Sequence, residues 1–117
     1  VPKTEKERMS FYDDKYTQLL KSNVTAVFAV SDFYAVEFMK FLQEKNIRIP
    51  EDIQIIGFDD NMASRESNPS LTTIHQEAAL RAKTAIECLE AMRNGVECET
   101  EIVLPVDLIK RESTRKL

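Results

Sequence analysis

Two short apolar runs with a helical stretch between them constrain this chain more than any other feature. Thr25-Ala26-Val27-Phe28-Ala29-Val30 and the segment from Ile53 to Phe58 are uncharged and rich in β-formers, so each reads as a buried strand. Between them, residues 33 to 45 carry Ala35, Phe38 and Leu42 on one stripe and Val36 and Met39 on another. That spacing predicts a helix, and a helix apolar on two sides packs against a sheet and something else. Asn46 ends it, and Ile49-Pro50-Glu51-Asp52 turns the chain into the second strand. A β-α-β unit of this kind requires parallel strands and a right-handed crossover.

The rest of the chain extends the same pattern. Met9, Tyr12, Tyr16, Leu19 and Leu20 recur at helical spacing over residues 5 to 21, with Asn23 as a stop. Residues 62 to 70 read as a short helical or irregular piece ending at Asn68-Pro69, and Leu71-Thr72-Thr73-Ile74 as a short strand. A longer helix from Glu77 to Asn94 places Ala78, Ala82, Ala85, Ile86, Leu89 and Met92 on one face and stops at Gly95. Ile102 to Val106 and Leu108-Ile109 read as a final strand pair broken by Pro105. The expected class is α/β: a parallel-sheet, three-layer α-β-α lobe. At 117 residues there is room for one domain.

Several functions are excluded by residue supply. Gly57 and Gly95 are the only glycines, so neither a phosphate loop nor a dinucleotide-binding turn can be written. His75 is the single histidine, which removes multi-histidine metal sites. Cys88 and Cys98 lack both metal spacing and a C-x-x-C arrangement, and Cys88 reads as a small core filler. No serine sits in G-x-S-x-G. No catalytic group, metal or cofactor is therefore expected. No run approaches the roughly 18 apolar residues of a membrane span, and Val1-Pro2-Lys3-Thr4-Glu5 is no signal-peptide core. A net charge of −4 gives no basic face for a duplex, and Lys110-Arg111 with Arg115-Lys116 read as a solvated tail.

Polar residues at the strand ends give the first hint of function. Ser31-Asp32 closes the first strand and Asp59-Asp60-Asn61 the second. Open parallel sheets bind ligands just outside the carboxyl ends of their strands. Asp59 and Asp60 are adjacent and point apart, so they do not form a facing acid–base pair; one suits a ligand and the other a turn. Asp32 reads as a helix N-cap, and His75, at a strand end, as structural.

The ordered string Ala26 to Asp32, Ile49 to Ile53, Ile56 to Asp60, Pro69 through Leu71-Thr72-Thr73-Ile74-His75-Gln76, and Leu104-Pro105, Leu108-Ile109 and Arg111-Glu112-Ser113-Thr114 closely resembles the C-terminal part of the lactose-repressor (LacI/GalR) family of bacterial regulators. The resemblance covers residues 24 to 114. It implies part of an effector-binding core like that of periplasmic sugar-binding proteins, mainly its C-terminal lobe. The helix over residues 77 to 94 would pack with the other lobe, and no DNA-binding domain is present in the chain. Ser31, Asp59 and Gln76 match positions that touch a small-molecule effector, a sugar or similar polar metabolite. Ser31 stands where many sugar-binding members carry Asn, which leaves the effector class open. The resemblance also implies a homodimer, with Val36, Met39 and Lys40 and the stretch Ala63, Ser64, Ser67 and Asn68 at its surface. The alternative for Val36 and Met39 is cover by a neighbouring helix of the same chain. It further implies a cytoplasmic protein meeting operator DNA only through a separate N-terminal domain. A solute-binding protein of a sugar transporter would share the fold and is the competing reading.

Overall fold

Thr4 starts the first helix. Its hydroxyl accepts from the Glu7 amide at 3.3 Å, and Glu5 and Glu7 complement the helix dipole in the first turn. The computed structural model describes residues 2–116. The elements run α1 (Glu5–Ser22), β1 (Ala26–Phe28), α2 (Asp32–Glu44), β2 (Gln54–Asp59), α3 (Met62–Glu66), β3 (Thr72–Gln76), α4 (Ala78–Arg93) and β4 (Val106–Ile109). Asn23 ends α1 in the left-handed region at φ 53°, a conformation asparagine tolerates.

One sheet of order β1-β2-β3-β4 organises the chain. β1, β2 and β3 are parallel, with Val27 opposite Ile55 and Gly57 opposite Thr73. β4 closes the sheet antiparallel to β3, with Asp107 opposite His75. The β-α-β unit and the parallel-dominated α/β class are as the sequence predicts.

The core lies between β2 and its covering helices. Ala35, Phe38, Met39 and Leu42 of α2 pack with Ile49, Ile53, Ile55 and Leu71, and α1 adds Tyr12. The Tyr12 ring stands 5.3 Å from Phe38 and 6.0 Å from Phe41, centroid to centroid. Its hydroxyl donates to Glu37 Oε1 at 2.7 Å, and Arg8 Nε donates to the same oxygen at 2.6 Å. Helix α1 therefore covers part of the apolar surface of α2.

Three expectations change. β1 is an edge strand shorter than the run that announces it, with no strand paired along its outer flank among the described residues, and Phe28 is 59% exposed rather than buried. The final strand pair is a single strand, β4; residues 102–105 stay outside it, and Pro105 has no N–H to add to a ladder. Helix α4 forms as predicted but has no buried residue. Cys88 on it is half-buried and belongs to no core.

Candidate functional site

Because β1, β2 and β3 run parallel, their carboxyl ends meet along one sheet edge. Ser31 follows β1, Asp59 ends β2 and Gln76 ends β3. Asp59 has φ 111° and Asp60 φ 58°, two successive residues outside the ordinary strand region. The two acids accordingly part. Asp59 is exposed and accepts a hydrogen bond from Gln76 Nε2 at 3.1 Å. Asp60 turns back into the protein, with its side chain 6% exposed.

Asp60 is held by groups from three directions. Arg111 Nη2 donates to its Oδ1 at 2.6 Å, the Ser64 hydroxyl to the same oxygen at 3.3 Å, and His75 Nδ1 lies 2.9 Å from its Oδ2. Arg65 stands 3.6 Å away. Burial pushes the Asp60 carboxyl up, but the Arg111 hydrogen bond and charge, with help from His75 and Arg65, hold it below the usual carboxylate range. This acid organises the strand exit, while its neighbour stays exposed at the carboxyl ends of the strands.

The helix cap expected of Asp32 falls to Ser31. Ser31 is the N-cap of α2, its hydroxyl accepting from the Tyr34 amide at 3.3 Å. Asp32 is fully buried, accepting from Thr73 Oγ1 at 2.5 Å and from the Asn61 amide at 2.8 Å. It therefore ties the end of β1 to the segment leaving β2 and to the body of β3. The reason is steric. Gly57 leaves open the space the carboxylate fills; a Cβ there would overlap Asp32 Oδ1 and approach Leu71 to 2.7 Å. A glycine in mid-strand was the available signal for that close approach. Arg111, which reaches Asp60, Ser64 and the Leu71 carbonyl, carried no such signal.

Of the residues expected at a dimer surface, Lys40 and Asn68 are exposed and Val36, Ala63 and Ser67 are half-buried. Met39 and Ser64 are not surface residues. Met39 is 2% exposed within the core cluster, and Ser64 is fully buried, bonded to Asn61 O at 2.6 Å and to Arg111. Their position inside the chain removes both from any contact with a second subunit.

A groove of about 380 Å³ runs along the open flank of β1, lined by Phe11, Leu19, Val27, Phe28, Ala29 and Phe38 among others. It is apolar and lies away from the Asp59–Gln76 pair. Among the described residues no three His, Cys, Asp or Glu side chains gather as a metal site, and no helix is long and apolar enough to cross a membrane.

Residues 2–114 match a family described as periplasmic binding protein-like domain. The chain is 44% identical over 99 residues to the transcriptional repressor PurR of Vibrio atlanticus, covering 84% of this chain and 30% of that protein. It is 32% identical over 102 residues to the transcriptional regulator MalR of Clostridium butyricum, covering 86% of this chain and 30% of that one. Its fold is similar to a lac repressor dimer bound to operator and the anti-inducer ONPF, with TM-score 0.79 and 32% identity over 91% of this chain and 37% of the other. It is also similar to a periplasmic binding protein/LacI transcriptional regulator from Alkaliphilus metalliredigens complexed with D-xylulofuranose, with TM-score 0.78 and 30% identity over 97% of this chain and 42% of the other. The chain spans under a third of the length of these curated relatives.

Proposed function

The chain belongs to the periplasmic binding protein-like family, and from that membership we propose that it forms part of the effector-sensing, dimerising core of a cytoplasmic, lactose-repressor-type transcriptional regulator. The observation that carries the proposal is the Asp59–Gln76 pair at the carboxyl edge of the parallel strands. An exposed carboxylate offers acceptors and the Gln76 amide offers both kinds of partner, which suits a polyhydroxylated ligand. Ser31, beside them along the same edge, keeps its hydroxyl proton available while its oxygen caps α2. The relatives named are regulators, which favours this reading over a transporter's solute-binding protein. The proposal includes a homodimer through Val36, Lys40, Ala63, Ser67 and Asn68. It also includes packing of α4 against a second lobe, with operator contact made outside this chain.

Asp59→Asn tests the site. Titrations with D-ribose, D-xylulose and cellobiose should reveal one binder, and the substitution should weaken it. A hydrogen bond to a charged group is worth about 1.5–3 kcal/mol, so the loss should be on the order of 10- to 150-fold. A melting temperature that falls while affinity stays unchanged would instead make Asp59 an anchor of its own turn.

A further inference from the structure

His75 meets a carboxylate at each ring nitrogen. Nδ1 lies 2.9 Å from Asp60 Oδ2, and Nε2 lies 2.7 Å from Glu77 Oε1. An ionised carboxylate only accepts hydrogen bonds. A neutral imidazole carries one N–H, so it would satisfy one of these partners and turn a lone pair toward the other. Only the imidazolium donates to both. From this geometry we propose that His75 is a doubly protonated positioning residue, joining Asp60 at the exit of β2 to Glu77 at the entry of α4. Gln76, between His75 and Glu77, is thereby held against Asp59.

The surroundings supply negative charge from every packed element. Asp59 on β2 and Asp107 on β4 are the register neighbours of His75, while Asp60 and Glu77 touch it. The cations of this cluster, Arg111 and Arg65, are both turned to Asp60. The Glu77 hydrogen bond raises the ring above its ordinary pKa of 6.5; burial pulls it back, and Asp60 raises it again.

When the proton leaves, the two partners do not compete equally. Asp60 is 6% exposed and fixed by Arg111, whereas the Glu77 side chain is 63% exposed. The remaining N–H stays with Asp60, and Glu77 is released. Helix α4 then loses its side-chain hydrogen-bond link to β3. Its N-cap makes no side-chain cap bond, it buries no residue, and no other side-chain hydrogen bond among the described residues links Glu77–Arg93 to the sheet. Protonation of one imidazole thus sets how firmly α4 is joined to β3.

Since the 117-residue chain holds a single histidine, its ring signals are unambiguous. Nitrogen-15 NMR of the whole chain from about pH 5 to about pH 9 reads both ring nitrogens directly. The expected midpoint lies above 6.5, and it falls by at least about half a unit in Glu77→Gln. Hydrogen exchange of the amides from Ala78 to Arg81, corrected for intrinsic rates, should quicken above the midpoint in the native chain. It should already be fast below the midpoint in the variant. A midpoint at or below 6.5, a midpoint unmoved by Glu77→Gln, or exchange in α4 indifferent to the titration would each overturn the proposal. The consequence for Gln76 rests on the effector reading, but none of these measurements involves a ligand, so failure of one does not imply failure of the other.

Discussion

Asp32 and Thr73 are 41 residues apart in sequence and 2.5 Å apart in space, hydroxyl to carboxylate, with both residues wholly buried. A buried charge is tolerated only when its lone pairs are matched. Here a strand hydroxyl and the Asn61 amide supply the match. The pair fixes the exit of β1 against β3 and with it the edge on which Ser31, Asp59 and Gln76 stand.

Thr73→Val keeps the shape and removes the donor. The Asp32 carboxylate would lose one of its two partners in the interior, which should cost about 1–3 kcal/mol of stability. Urea denaturation measures it, with Thr73→Ser as the control that retains the hydroxyl. A Val variant as stable as the native chain would remove the pair from the list of what holds the edge.

Gly57→Ala attacks the same bridge by overpacking. The added methyl meets Leu71 at 2.7 Å and overlaps an Asp32 oxygen that two hydrogen bonds hold in place. A loss of about 1–3 kcal/mol is expected. A companion Gly57→Ala/Asp32→Ala double variant should cost less than the sum of its singles, because the methyl then has space.

Acid should loosen α1 from α2. The Arg8 hydrogen bond holds the Glu37 carboxyl below its ordinary 4.5, against burial, and Tyr12 adds a second donor. A depressed folded value means this stability is present above about 4.5 and is lost as the pH falls through the folded value. Tyr12→Phe removes the hydroxyl that Glu37 accepts from and should cost about 1–2 kcal/mol at neutral pH. Tyrosine fluorescence followed during acid titration, in the native chain and in Glu37→Gln, checks the direction.

His75 works with the opposite sign. Its folded pKa is raised, so its contribution is fully present below about 6.5 and fades as the pH rises through the folded value. Thermal stability measured across that window should decline in the native chain and stay flatter in Glu77→Gln.

The sequence carried the frame of the sheet and much less of its wiring. Charge-free runs ending in Ser31-Asp32 and Asp59-Asp60 were enough to place a parallel β-α-β unit and a polar edge, because burial and N-capping act locally. The division of labour within each polar pair was not legible. Ser31 caps and Asp32 is buried because Gly57, on another strand, leaves room; Asp60 turns inward because Arg111, 51 residues away, reaches it. The two-sided apolar pattern of α2 is legible in the sequence, but it does not show that the chain's own core, and not a second subunit, takes up Met39. Face-level periodicity cannot say which neighbour does the covering.

The open flank of β1 has a consequence for handling the chain. Ala26 to Val30 is uncharged and free of proline, with Val27, Phe28 and Val30 favouring extended structure and Phe28 and Val30 59% and 69% exposed. Such an edge offers a row of unpaired amides and carbonyls to any extended segment of another molecule. Refolding yield should therefore fall with protein concentration, and insoluble, β-rich material should accumulate with gentle warming. Ala26→Lys, at an exposed position on that edge, would act as a gatekeeper charge and keep the chain in solution.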